Sequence, residues 1–214
     1  MEKANLMFDL NRWDVSSFNV LYFDPTCSVA LQLVSAHVLW KGFVMIPSVM
    51  RNWWNECKNR QLHISLANYV EKNLAPLIIS KEIDQLANAD TSALEGISFK
   101  ASRAAREVFA KYQIEENTLE IVIKLPTTYP LRNVEVESGP SGHTGVSESR
   151  WRGWILSVTA VMVSQNGSLY DALMLFKKNV GLHFDGVEDC AICIFFLSVC
   201  LVTHFFRLLG HWSC

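Results

Sequence analysis

The chain has 214 residues, 50% of them apolar, which is enough to bury one large or two small hydrophobic cores and excludes a disordered chain. Its 19 Lys and Arg residues against 21 Asp and Glu residues give a formal charge of −2, so no global basic field would recruit DNA or an anionic membrane. Six cysteines without an even disulfide spacing, and no N-terminal secretory signal pattern, predict a reducing compartment, the cytosol.

Short amphipathic helices are predicted along the first 80 residues. The first covers residues 28–45 and ends before Pro47, and further helices follow from about residue 48, over 61–72 and within 74–94. Consecutive short helices with brief breaks are typical of the end of an α-solenoid. The apolar residues at helical spacing are Val29, Leu33, Ala36, Trp40, Phe43, Val49, Trp53, Cys57, Leu62, Leu66, Tyr69, Val70, Ile78, Ile79, Ile83 and Leu86.

Four short runs then alternate apolar and polar residues, the pattern of half-buried strands. Pro126 ends the third run because it has no N–H to donate, and Tyr129 with Pro130 makes a second break before the fourth. Two helical patterns follow the strands, so we predict an α+β domain in which a four-stranded antiparallel meander carries helices on one face. The runs cover residues 97–103, 107–114, 118–125 and 134–137.

The two helices after the strands are separated from them by residues 138–145, whose glycines and serines predict a loop. Ser147 is the candidate cap of the first helix, and Ser168 with Asp171 opens the second. The residues predicted to face inward are Trp151, Trp154, Ile155, Val158 and Met162 in the first helix, and Leu169, Ala172, Leu173, Phe176 and Val180 in the second.

This order of a strand, Leu125-Pro126, Tyr129-Pro130, a strand and two helices resembles the RWD fold, a relative of the ubiquitin-conjugating enzyme fold. A more specific resemblance, from about Trp13 to Cys193, is to the C-terminal part of the listerin family of RING ubiquitin ligases. It implies the end of a HEAT-like solenoid over residues 1–80 and an RWD domain over 81–185. The runs that carry it are residues 99–112, 151–154, 164–168 and 176–180.

The resemblance also implies a function, the ubiquitination of nascent chains on stalled large ribosomal subunits in ribosome-associated quality control. The implied partners are the large ribosomal subunit, the other components of the quality control complex and a ubiquitin-conjugating enzyme. Relatives of the RWD fold transfer ubiquitin through a thioester, yet no cysteine lies between Cys57 and Cys190. We therefore predict an interaction module with neither a catalytic residue nor a cofactor site.

The sharpest motif is Cys190-Ala-Ile-Cys193 after Glu188-Asp189, which resembles the opening of a RING finger over residues 186–193. Two thiolates on one tight turn can bind Zn²⁺, so Cys190 and Cys193 are the predicted metal ligands. A RING finger requires eight ligands in cross-braced order, and the later donors lack that spacing. We therefore predict weak zinc binding or none, and no ubiquitin transfer by this chain. The later donors are Cys200, His204, His211 and Cys214.

Residues 194–214 form a divergent apolar tail. Its apolar run, 194–203, is shorter than the roughly 20 residues that a membrane-spanning helix needs, so no membrane anchor is predicted. An altered C-terminus, for instance from intron read-through, would explain the sudden break in pattern. Two hypotheses remain open, a portion of a listerin-like ligase and a non-catalytic RWD adaptor that binds the ribosome or a protein partner.

Other candidate site residues have simpler interpretations. His143 has no nucleophile near it in the sequence, which favours a solvated loop histidine over a catalytic one. Lys177 and Lys178 could contact the phosphates of ribosomal RNA, although a lysine pair is usually a solvated surface. Four tryptophans at helical spacing are predicted to be core residues, because each buries a large apolar area. They are Trp53, Trp54, Trp151 and Trp154.

Overall fold

The computed structural model describes residues 28–89, 94–114 and 117–184, with side chains from Leu33 onward. The described residues fall into two compact units, a helical unit of residues 28–78 and 127–132 and a sheet unit that contains the rest. The predicted RING opening and the apolar tail lie outside the described residues. In chain order the elements are α1 (Ser28–Met45), α2 (Pro47–Glu56), α3 (Arg60–Tyr69), a π-helical turn (Val70–Leu74), α4 (Ala75–Ala87), β1 (Ile97–Ser102), β2 (Glu107–Ile114), β3 (Asn117–Lys124), β4 (Glu135–His143), α5 (Glu148–Ser164) and α6 (Leu169–Phe184).

The helical unit begins with α1 and α2, which are joined by Ile46. Pro47 occupies the first turn of α2, where its missing N–H has no intrahelical partner to lose. Asn59 caps α3, because its side chain accepts a hydrogen bond from the N–H of Leu62 at 3.1 Å. Within the described range, no single helix is long and apolar enough to cross a membrane, whereas α1 from Leu33 and α2, bent by 115°, meet the length and composition criteria together.

The inward face of α2 differs from the predicted one. Val49 and Trp53 are exposed, and Cys57 lies beyond the end of the helix. The buried positions are instead Pro47, Arg51 and Trp54, which are three and four residues apart. The prediction was wrong because a charged residue occupies the central inward position. Arg51 can be buried there because its guanidinium has a hydrogen-bond partner elsewhere in the helical unit.

The sheet unit contains the predicted four-stranded antiparallel meander, in the order β1-β2-β3-β4. On one face of the two central strands, side chains at alternate positions of β2 and β3 are buried. Together with the helices before and after the sheet, this meander confirms the predicted α+β class. The buried residues on this face are Val108, Ala110, Leu119, Ile121 and Ile123, and Val122 of β3 is buried on the opposite face.

Strand β4 extends to His143, so the prediction of a loop over residues 138–145 was wrong for most of that stretch. The register between β3 and β4 shifts between Leu119 and Ile121, where β4 has extra residues. Glu120 stabilises this bulge, because its carboxylate accepts a hydrogen bond from the N–H of Ser141 at 3.0 Å. A Cβ atom at position 139 would lie only 2.3 Å from the Cγ of Glu120, so any larger residue in place of Gly139 would displace the Glu120 side chain.

Helices α5 and α6 complete the sheet unit. Ser147 is the N-cap residue of α5, but its side chain makes no capping hydrogen bond. Ser168 and Asp171 form the predicted capping pair at the start of α6, each side chain accepting from the N–H of the other residue. All five residues predicted to face inward from α6 are buried. In α5 Ile155 is half-buried, and the other four are buried.

Candidate functional site

The sheet unit contains no thiol within its described residues. Cys57 is the one cysteine that the structure describes, and it lies between α2 and α3 in the helical unit. The sequence itself has no cysteine between Cys57 and Cys190. The described part of the sheet unit therefore cannot form a thioester with ubiquitin.

The turn that contains Tyr129 and Pro130 belongs to the helical unit, as part of Thr127–Arg132. Its Tyr129–Pro130 peptide bond is cis, and the N–H of Leu131 donates to the carbonyl of Thr128 at 2.8 Å. Tyr129 and Leu131 are both buried. The segment therefore adds apolar side chains to the helical unit from a position far along the chain.

Arg51 binds this turn from α2. Its guanidinium donates to the carbonyl of Pro130 at 2.9 Å, and the residue is only 4% exposed. Burial lowers the pKa of Arg51 from its usual range, and its interaction with Tyr129 opposes that shift in part. A guanidinium remains charged in proteins, so Arg51 is a buried cation whose hydrogen bond fixes the turn.

His143 is not the solvated loop histidine that the sequence suggested. It is the last residue of β4, and its ring stacks on Trp151 with centroids 5.1 Å apart and an interplanar angle of 9°. Its Nε2 lies 3.0 Å from a carboxylate oxygen of Glu148. Arg152 donates to the other oxygen of that carboxylate at 2.8 Å. His143 therefore has a packing role beside the first turn of α5.

Three of the four tryptophans are core residues, as predicted. Trp151 and Trp154 are buried in α5, where their rings meet edge to face. Trp54 is buried in α2 and stacks on His63 with centroids 4.0 Å apart. The prediction was wrong for Trp53, which is 46% exposed. Helical spacing indicates that residues share a face, but it does not indicate which face is covered.

A second histidine, His183, contacts the start of α5 and the segment before it, and no sequence pattern indicates these contacts. Its Nδ1 accepts from the guanidinium of Arg150, and its Nε2 lies 3.3 Å from the carbonyl of Gly145. The ring also meets the edge of Trp154. These contacts join the last turn of α6 to α5 and to the segment before it. The partners lie 33 and 38 residues away in sequence, so no local pattern could have indicated them.

Of the remaining predicted site residues, the structure describes Lys177 and Lys178 in α6. Lys177 is half-buried and has an interaction within the chain, whereas Lys178 is exposed. Cys190 and Cys193 lie outside the described residues, so their assignment as zinc ligands stays a prediction. In the part of the chain that the structure describes, no group of three or more His, Cys, Asp or Glu side chains could hold a metal ion.

Glu82 in α4 is the acidic group of the sheet unit with the clearest effect of burial. Its carboxylate accepts from the N–H of Leu169 at 3.1 Å, at the start of α6. Burial raises the pKa of Glu82, and the negative charge of Asp171 adds to that rise, whereas the hydrogen bond from Leu169 and the charge of Lys81 oppose it. The ionised carboxylate is therefore less stable in the folded chain than in the unfolded one.

The substitution Glu82→Gln is expected to change the pH dependence of stability. A pKa raised on folding gives a contribution to stability that is complete below the unfolded value, near 4.5, and is lost as pH rises through the folded value. Glutamine keeps an acceptor for Leu169 but cannot ionise. Stability by urea unfolding should therefore fall less with rising pH in the variant than in the wild type. Parallel curves for the two proteins would show that Glu82 has an ordinary pKa.

Comparison with known families matches both halves of the chain. Residues 97–183 match a family described as ubiquitin conjugating domain-like. Residues 1–87 match a family described as LTN1 family HEAT repeat region. The first match includes the whole of the sheet, and the second includes the described helices α1 to α4.

Curated relatives resemble most of this chain. The E3 ubiquitin-protein ligase listerin of Schizosaccharomyces pombe is 33% identical over 93% of the chain, and that of Saccharomyces cerevisiae is 38% identical over 73%. The listerin of Gallus gallus is 37% identical over 69%. The matched regions make up only 13%, 10% and 8% of the three relatives, respectively. The chain therefore spans a small part of the proteins it resembles.

Proposed function

The chain belongs to the listerin family of E3 ubiquitin-protein ligases, and we propose that it is the docking part of such a ligase. The complete ligase would ubiquitinate nascent chains on stalled large ribosomal subunits in the cytosol, as part of ribosome-associated quality control. Its partners would be the large subunit, the other components of the quality control complex and a ubiquitin-conjugating enzyme. This chain, as it stands, would dock without transferring ubiquitin.

The observation that carries the docking role is a ubiquitin conjugating domain-like fold without a thiol. Residues 97–183 match that family, yet the sequence has no cysteine between Cys57 and Cys190. A fold of this kind that cannot carry ubiquitin as a thioester retains its surfaces for binding.

The catalytic contribution of a RING finger is placement, because it holds the charged ubiquitin-conjugating enzyme near the acceptor lysine. That placement requires a metal-braced structure. Cys190 and Cys193 would form its first ligand pair. The donors that follow in this sequence do not have RING spacing, and an apolar run lies between them. The donor set therefore does not fit a two-zinc RING finger.

Purified chain is accordingly expected to form no ubiquitin conjugates in a reaction with activating enzyme, conjugating enzyme, ubiquitin and ATP. A complete listerin serves as the positive control. Conjugates that appear with this chain and disappear in the variant Cys190→Ser would show a working RING finger and overturn the proposal. Two tightly bound zinc ions per chain, the number that a RING finger holds, would contradict the proposal as well.

A second candidate function is a non-catalytic adaptor that occupies the docking site of the intact ligase. The divergent sequence after Cys193 favours it, because binding without a RING finger would leave the site blocked. Excess chain should then lower the yield of ubiquitinated nascent chains in a reaction with intact listerin and stalled subunits. An unchanged yield at saturating chain would exclude competition.

A further inference from the structure

We propose that the α2–α3 corner, residues 52–61 of the helical unit, binds unpaired ribosomal RNA. This inference rests on the proposed function, the docking of the chain on the large ribosomal subunit. The corner is separate from Lys177 and Lys178, the lysine pair that could also contact RNA phosphates. The corner includes the last turns of α2, the link to α3 and the first residues of α3.

The first argument is the distribution of charge between the units. The helical unit has six basic and two acidic residues over residues 28–78 and 127–132, a formal charge of +4. The described residues of the sheet unit have ten basic and nine acidic residues, a formal charge of +1. The whole chain is nevertheless at −2. The described residues of the helical unit therefore carry the larger positive net charge, and within the corner Lys58 and Arg60 outnumber one acidic residue, Glu56.

The second argument is that the basic groups of the corner are available. Lys58 and Arg60 are exposed, and neither makes an ion pair or a side-chain hydrogen bond with any residue that the structure describes. Several basic residues of the sheet unit have acidic partners, such as Lys124 with Glu137 at 2.6 Å and Arg103 with Asp84. A cation already paired with a carboxylate releases fewer counterions on binding phosphate than a free one.

The same corner also contains an exposed aromatic ring. Trp53 lies in the last turn of α2 and is 46% exposed, whereas its neighbour Trp54 is buried. The amide side chains of Asn52 and Asn55, in the last turns of α2, are also exposed. An exposed ring can stack on a base, cations can bind the phosphates, and amides can hydrogen-bond base edges. This combination fits an unpaired strand, because the bases of a duplex are already stacked on one another.

The test measures binding of the full chain to a labelled unpaired RNA of about 12 nucleotides by fluorescence anisotropy. The salt concentration is varied between about 50 and 200 mM. The charge-reversal variant is K58E/R60E, and the matched control is K177E/K178E, which changes the net charge equally in the other unit. All four lysine and arginine positions are at least partly exposed, so both variants are expected to fold. Their circular dichroism spectra check that.

We expect K58E/R60E to weaken binding about tenfold or more. The slope of the logarithm of the binding constant against the logarithm of the salt concentration should become less steep by about 1.4, the value for two lost phosphate contacts on a single strand. The control should stay within about threefold of the wild type. Trp53→Ala should weaken binding about fivefold or more without changing the slope. Equal losses in the two charge variants, or no loss in K58E/R60E, would overturn the inference. So would a preference for an acidic peptide over RNA.

Pelleting with large ribosomal subunits separates this inference from the proposed function. If the wild-type chain pellets and K58E/R60E pellets equally well, the corner is not the docking surface and the proposed function stands. If the wild-type chain fails to pellet, the proposed function fails, and the corner's assignment to ribosomal RNA fails with it. Loss of pelleting in K58E/R60E alone supports both.

Discussion

Replacing Trp151 with alanine is expected to lower the free energy of unfolding of the sheet unit by about 3–5 kcal/mol. Trp151 is only 2% exposed, its ring stacks on His143, and it meets the edges of Trp154 and Phe176 at centroid distances of 6.1 Å. Its indole N–H also donates to the hydroxyl of Ser138 in β4. Truncation would leave a cavity bordered by three rings and would remove the hydrogen bond to Ser138.

Hydrogen exchange of peptides from α5 and β4 measures this loss within the sheet unit, which avoids treating two units as one cooperative transition. Leu156→Ala on the same helix is the matched control, because Leu156 is 65% exposed. Its effect should be within about 0.5 kcal/mol. A loss below about 1 kcal/mol for Trp151→Ala would contradict its assignment to the core.

Removing the buried guanidinium of Arg51 is expected to have the second largest effect. Arg51→Ala should lower the stability of the helical unit by about 2–4 kcal/mol, because it removes a packed aliphatic stem and leaves the carbonyl of Pro130 without its donor. Arg51→Met keeps most of the stem and also removes a charge whose burial is costly. Its loss should therefore be less than about half of that for alanine.

Hydrogen-exchange protection of peptides from α2 and α3 measures the stability loss in Arg51→Ala and in Arg51→Met. Peptides from the sheet unit serve as the internal reference. Equal losses for the alanine and methionine variants would mean that the hydrogen bond dominates over packing. Full protection of α2 in Arg51→Ala would contradict the assignment of Arg51 as the residue that fixes the Tyr129–Pro130 turn.

Elements with a long local pattern could be predicted from the sequence. Helix α1 and strand β2 have the predicted bounds, because each has an uninterrupted period that a proline or a turn ends. The start of α6 follows from the spacing of Ser168 and Asp171, which is enough to form a capping pair. In these cases the interactions that decide the structure lie within a few residues of each other.

Elements that depend on distant partners could not be predicted. Glycines and a proline make residues 138–145 resemble a loop, but Glu120, far back in β3, supplies the hydrogen bond that lets β4 continue through a bulge. The inward position of Arg51 likewise depends on a carbonyl 79 residues away. Neither partner has a signal in the local pattern.

The candidate site shows the same division. The missing thiol of the sheet unit is evident from the sequence, because a thioester requires a cysteine wherever the chain folds. The α2–α3 corner could not be found in that way. The hydrophobic periodicity of the sequence predicts that Trp53 and Trp54 lie in the same helix. Which of the two is buried depends on the packing of the helical unit, where Trp54 is buried and Trp53 is exposed.

The central claim is that this chain is a folded docking module whose binding does not depend on a RING finger. Its most direct test is sedimentation with purified large ribosomal subunits, with the full chain compared with a chain that lacks residues 186–214. We predict that both pellet with the subunits to the same extent. A chain that stays in the supernatant, or pelleting that disappears with residues 186–214, would contradict the claim.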